Sequence, residues 1–406
     1  VLNFVGTLNG IIANRSDVFM RIDSVKDMQK VMKNGKTGVM IGVQNASHFI
    51  SSDDVNLFYD LGQRVSQLTY NSRNMIGNGA TERMDGGISD FGASIIKRMN
   101  EVGMAIDVSH CGDQTTLDAF DISSKSKVLT STNSFIASAN CIRMVNAYPI
   151  LADIDPNDGN IDVKNISEKI DAIIPVHIYG NPCDFDSVKV FAEEQKIPII
   201  EDACQAHGAI YKNKKVGSLS DVGCFSFYPT KNMTVGGDGG MSTTNNEEVA
   251  DKIRSIRNNG RKTKNEFDKL GFTMRLNTIN AAIGRIQLKH LDEKNSRRRE
   301  IVSIYKENLI EDCILPENEN GKSVYHQIVI RHENRDKIRE ELTNNDIGSA
   351  IYYEKPIHLQ PLYLEYDYKL PNSEKFAKEV LSLPSYPSLT NDQLLEVCEH
   401  VNKIIG

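Results

Sequence analysis

Two apolar runs with chemically different endings constrain this chain more than anything else in it. Pro198-Ile199-Ile200-Glu201-Asp202 closes on carboxylates. Val222-Gly223-Cys224-Phe225-Ser226-Phe227 leads through Tyr228-Pro229-Thr230 to Lys231 and a glycine-rich turn, Gly236-Gly237-Asp238-Gly239-Gly240. Short β-rich runs of this kind recur along the whole chain and alternate with amphipathic helical stretches, which predicts parallel α/β architecture. In the first half the runs are 38–43, 64–69, 103–108 and 127–130, with helical stretches at 25–33, 54–61, 93–102 and 115–120. In the second half they are 149–153, 172–177, 198–202 and 222–227, with helices expected around 166–170 and 186–194.

A long charged helix is expected from about Asn277 to Leu309. Beyond it, 324–330, 335–345, 349–353 and 392–405 read as a smaller α+β domain, and 316–322 as a polar turn at a boundary. A chain of 406 residues has room for two or three domains with their own cores. The net charge of -7 and the lack of a basic run argue against a nucleic-acid partner. No apolar stretch reaches membrane-spanning length, so no membrane partner is expected. The seven cysteines are scattered and form no CxxC, as suits reduced thiols in a cytoplasmic protein. The chain opens on Val1 in place of a methionine, and the expectation is that it is an internal piece of something longer.

Asp202 ends its strand, so its carboxylate is expected at the carboxyl edge of the sheet, where open α/β folds gather ligands. A lysine reached from the next apolar run completes what a pyridoxal phosphate site requires. Its amine forms a Schiff base, and the carboxylate keeps the pyridine nitrogen protonated so that the ring can draw electrons. The plainer readings are a turn-capping aspartate and a solvated surface lysine.

From about Leu129 to Gly406 the chain resembles the DegT/DnrJ/EryC1/StrS sugar aminotransferases, a fold-type-I pyridoxal phosphate group. The resemblance rests on Asn133–Asn140, Pro149–Asp155, Ile174–Gly180, Glu201–Gly208, Phe225–Gly240, Asn280–Gly284 and Leu381–Pro384. It implies Lys231 as the catalytic residue, carrying the cofactor and moving protons as a general base. It also implies Asp202 on the pyridine nitrogen, Gln205 near the ring oxygen and Ser226 on the phosphate. Arg275 would reach across a homodimer interface toward the neighbour's cofactor phosphate. Tyr353 and His358 would lie on the sugar-nucleotide side of the pocket, with Tyr352 beside them. The substrates implied are an amino-acid donor, glutamate by preference, and a nucleotide-linked keto sugar.

Residues 1 to about 131 resemble instead part of the membrane (renal) dipeptidases, zinc hydrolases on a (β/α) barrel. The matching residues are Gly42–Asn45, Gln67–Asn74, Gly77–Gly79, Glu82, Asp85–Gly92 and Met104–Cys111. Ligand by ligand, the metal site does not carry over. Gln44 stands where that family has a bridging glutamate, Thr132 where it has a histidine, and its HxD pair is missing. His110 is left as a lone remnant ligand position, so zinc is not expected; His48 is expected at the surface. The aminotransferases' Ser-Gly-Thr phosphate turn is not found before residue 128. The expectation is therefore a fusion of two incomplete pieces. Residues 1–128 would form a partial barrel-like segment. Residues 129–310 would form an aminotransferase large domain with a mainly parallel sheet, incomplete at its N-terminus, and 311–406 a small α+β domain. The competing functions are a zinc dipeptidase and an inactive fusion.

Overall fold

A computed structural model describes residues 1–123, 126–310 and 312–406. Glu311, where the small domain was expected to begin, lies outside the described residues. The chain divides into two compact units, Val1–Lys125 and Ser126–Gly406.

The first unit runs α1 (Leu2–Asn14), β1 (Phe19–Arg21), α2 (Val25–Asn34), β2 (Thr37–Val39), β3 (Ile41–Val43), α3 (Ser52–Asp60), β4 (Gln63–Gln67), α4 (Asp90–Val102), β5 (Ala105–Asp107) and α5 (Asp113–Ile122). Strands β3, β4 and β5 form a parallel sheet with β4 central, and β1 pairs in parallel with β2. Its core joins Phe49, Val55 and Phe58 to Leu68, Ile95, Ile96 and Met99. Ser89 starts α4 by accepting the Gly92 N–H, and Gly103, at a φ of +81°, ends it in the left-handed conformation that favours glycine. His48 is half-buried rather than a surface residue. Its ring lies 4.6 Å edge-on from Phe58 and bonds Gln63 Oε1 at 3.2 Å.

The second unit continues with β6 (Lys127–Ser131), α6 (Ala137–Met144), β7 (Tyr148–Ala152), β8 (Ala172–Ile174), α7 (Phe185–Gln195), β9 (Ile200–Asp202), β10 (Ile210–Tyr211), β11 (Lys214–Lys215), β12 (Val222–Ser226), β13 (Gly240–Thr243) and α8 (Glu247–Ile256). Next come α9 (Thr278–Lys289), α10 (Leu291–Asn308), β14 (Gly321–Lys322), β15 (Ile328–Arg331), α11 (Arg335–Asn344), α12 (Pro371–Glu379), β16 (Val380–Leu383) and α13 (Asn391–Ile405). Parallel pairing sets β6 between β7 and β8. Bridges Ile173–Ile199 and Val176–Asp202 carry the sheet on to β9, which pairs in parallel with β12. Strand β13 closes the edge antiparallel to β12. Because β6 sends the chain first to one side and later to the other, the carboxyl ends near β6 and β8 form a topological switch point.

Two expected helices differ. Residues 166–170 carry helical spacing but form a loop. Ile166 and Ile170 reach the core from it, and Asp162 holds the Lys164 N–H at 2.9 Å in a side-chain turn. The helix expected from Asn277 to Leu309 is two, α9 and α10, parted at His290. Leu291 is drawn into a cluster with Phe227, Met233 and Val235, which fixes the break. The C-terminal core packs Ile301, Val302 and Tyr305 of α10 with the β15–β16 pair, α11 and α13. Among the described residues no helix is long and apolar enough to cross a membrane.

Candidate active site

Side chains alternate faces along a strand, and β9 uses this to separate two neighbouring carboxylates. Glu201 is fully buried and accepts the Gly217, Leu219 and Ser220 N–H groups at 2.6, 2.8 and 3.0 Å. Asp202 points the other way, at the strand's carboxyl end. Ser138 Oγ donates to its Oδ2 at 2.8 Å and the Cys204 N–H to its Oδ1 at 3.1 Å.

The β9–β12 register sets Asp202 opposite Cys224, two residues before Ser226. From there the chain leaves the sheet, and the Lys231 N–H closes a turn onto Tyr228 O at 2.9 Å. Lys231 is half-buried, and no hydrogen bond or ion pair forms at its Nζ among the described residues. Burial pushes its amine below the usual lysine range, against the pull of Cys204 and Asp202. The same burial, with Asp202 adding to it, drives the Cys204 thiol far up. His207 is buried with its ring 5.4 Å from that of Phe225 and 6.0 Å from that of Phe227. Burial, reinforced by Lys231, pushes it down to about 4.

Gln205 is buried, and its amide is used at both ends. Its Oε1 accepts the Tyr179 N–H at 2.8 Å, and its Nε2 donates to Tyr353 Oη at 3.1 Å. Tyr353 lies at this site with Phe135 6.4 Å from its ring. Ser226 Oγ accepts the Tyr228 N–H at 3.3 Å, which leaves its own proton to donate. The structure thus gathers Asp202, Gln205, Tyr353, Ser226 and Lys231 around the carboxyl edge of β9 and β12. His358 is buried with both nitrogens engaged, Nδ1 with Thr132 Oγ1 at 2.7 Å and Nε2 with Glu374 Oε1 at 3.4 Å. Arg275 is exposed on the segment entering α9.

The glycine-rich turn is closely packed. A Cβ at Gly239 would meet Leu276 Cδ1 at 2.9 Å, and Gly236 requires a φ of +77° with Ile283 close by. Sequence reasoning missed Ser134, Ser138 and Tyr179. For the serines the available signal was their spacing of four residues at the entry to a short helix, which puts both hydroxyls on one face.

In the first unit, His110 is exposed and its Nδ1 bonds Asn71 Oδ1 at 2.9 Å. Among the described residues there is no group of three or more His, Cys, Asp or Glu able to hold a metal. The first-turn amides of α5 are taken by Asp85, whose Oδ2 accepts the Gln114 N–H at 2.6 Å.

A desolvated lysine and a carboxylate thus share the carboxyl edge of β9 and β12, the edge at which open parallel sheets gather ligands. Residues 89–402 match the DegT/DnrJ/EryC1/StrS aminotransferase family, and the chain belongs to it. The match begins upstream of Leu129 and takes in α4, β5 and α5. The chain is 39% identical over 297 residues to a pleiotropic regulatory protein of Geobacillus stearothermophilus, covering 70% of this chain and 80% of that one. It is 40% identical over 292 residues to the dTDP-3-amino-3,6-dideoxy-alpha-D-galactopyranose transaminase of Aneurinibacillus thermoaerophilus, again covering 70% and 80%. Among solved structures, S. venezuelae DesV in complex with a ketimine intermediate superposes with a TM-score of 0.66 at 34% identity, over 68% of this chain and 78% of that one.

Proposed function

We propose that the second unit transfers an amino group from an amino acid to a keto group on a nucleotide-linked sugar, with pyridoxal phosphate held on Lys231. One observation carries the reading: a desolvated Lys231 amine and the Asp202 carboxylate share the carboxyl edge of adjacent strands β9 and β12. The donor set suits that cofactor. Lys231 offers an amine that has no partner among the described residues, Asp202 a carboxylate for a ring nitrogen, Gln205 an amide beside it, and Ser226 a hydroxyl proton for a phosphate oxygen. Bound there, pyridoxal phosphate would supply a covalent seat for the migrating amino group and a sink for electrons. Lys231, its amine basic yet poorly solvated, accepts and returns a proton at Nζ. Asp202, held at both oxygens, would offer its charge to the ring nitrogen. The transaminase of Aneurinibacillus, named for a dTDP-linked sugar, supports the choice of substrate class.

A homodimer belongs to this reading. One face of α9 supports the site loop through Asn280 Nδ2, which donates to Val235 O at 3.0 Å. Its outer face leaves Ile279 72% and Ile286 59% exposed, one heptad apart, an apolar stripe that a second copy of the chain would cover. Borohydride reduction of the chain with pyridoxal phosphate tests the site. The label belongs on Lys231, and label spread evenly over exposed lysines defeats the assignment.

A further inference from the structure

The hydrogen bonds on Asp202 have a direction. An ionised carboxylate only accepts, so the single proton of Ser138 points to Asp202 Oδ2, 2.8 Å away. Ser138 Oγ must then accept from Ser134 Oγ, also 2.8 Å away. Both serines are buried, at 5% and 4% exposure, so water does not compete for these protons. The hydroxyls form a chain, Ser134 to Ser138 to Asp202, in which each bond polarises the next toward the carboxylate. On the other oxygen, the Cys204 N–H leaves the carboxylate with one fixed donor on each side. Rotation of Asp202 about its last side-chain bond would break both.

We propose that Ser138 is a positioning residue for Asp202, with Ser134 aligning its proton. The catalytic consequence rests on the function proposed above; the geometric one does not. Among the described residues the Ser138 hydroxyl bonds Ser134 and Asp202 and not Lys231. It acts by holding the Asp202 carboxylate in one orientation.

The test uses the whole chain labelled with 15N-cysteine. Amide exchange at Cys204, whose N–H is held by Asp202, reports the orientation without any cofactor. Exchange at Cys183, whose N–H is held by His177 Nδ1 at 3.1 Å, reports general loosening. In Ser138→Ala, Cys204 exchange is expected to quicken roughly tenfold while Cys183 is unchanged. Ser138→Thr restores it, and Ser134→Ala gives a smaller change in the same direction. With pyridoxal phosphate and substrates, kcat of Ser138→Ala falls about ten- to a hundredfold with KM unchanged, as a lost charge-assisted bond predicts. Unchanged Cys204 exchange, or equal quickening at Cys183, overturns the proposal. Quickening at Cys204 alone, in a chain that forms no Lys231 adduct, upholds the positioning role and rejects the cofactor reading instead.

Discussion

Glu201 is bonded to His177 inside the core, Nε2 to Oε2 at 3.2 Å, with both side chains fully buried. His177 Nδ1 accepts the Cys183 N–H, so the ring proton lies on Nε2 and is donated to Glu201. This bond ties β9 to the segment after β8, and the 217–220 amides on the same carboxylate tie it to the turn that precedes β12. The two strands that carry Asp202 and lead to Lys231 are thereby fixed from behind.

Glu201→Ala is therefore expected to destabilise the chain by about 3–5 kcal/mol, because it leaves His177 and several loop N–H groups buried without an acceptor. Burial raises the Glu201 carboxyl, but hydrogen bonds from His177, Gly217 and Ser220 outweigh it and the net shift is downward. A depressed folded-state carboxyl contributes stability that is full above its unfolded value, about 4.3. That contribution is lost as the pH falls through the folded value. Urea unfolding should give a wild-type advantage that is large at neutral pH and narrows below about pH 4. A gap that does not change with pH would refute this account.

Lys231 should react with pyridoxal phosphate at lower pH than exposed lysines such as Lys264. Burial lowers its amine from the ordinary 10.5, so more of it is unprotonated at a given pH. Peptide mapping of borohydride-trapped label across a pH series measures this. Parallel pH curves for the two lysines would mean that Lys231 is solvated. Lys231→Ala should lose both the label and all turnover, since attachment and proton transfer share one residue.

Asp202→Asn keeps the shape of the side chain and removes its charge. The loss of a preorganised electrostatic partner in a poorly solvated site is expected to reduce turnover on the order of 10²-fold. Steady-state kinetics with an amino-acid donor and a nucleotide-linked keto sugar decide it. Near-normal turnover would reduce Asp202 to a strand-end residue.

The parts of this site that were legible in the sequence are those written in local pattern. Asp202 and Lys231 each follow an apolar run, and such runs became β9 and β12 close to their expected bounds. The spacing of Ser134 and Ser138 was visible, but the partner of Ser138 was not, because Asp202 lies 64 positions away and only the sheet brings it near. Residues 166–170 misled for the opposite reason. Their apolar spacing suits a helix, but core packing holds them as a loop. His358 had a motif-like setting in Pro356-Ile357-His358, yet its nitrogens are spent on Thr132 and Glu374.

The cofactor phosphate should contribute little to binding. In the second unit Ser226 offers one hydroxyl proton for a phosphate oxygen. One charge-assisted hydrogen bond to a phosphate oxygen adds about 1.5–3 kcal/mol, or about ten- to a hundredfold in affinity. Pyridoxal phosphate is therefore expected to bind no more than about a hundredfold tighter than pyridoxal, and only when supplied in excess. Ser226→Ala should bring the two affinities nearly level while leaving the affinity for pyridoxal unchanged. Fluorescence titration of both compounds against both chains measures all four constants. A phosphate preference of a thousandfold or more that survives in Ser226→Ala would mean that other groups grip the phosphate and that Ser226 is only the hydroxyl that accepts the Tyr228 N–H.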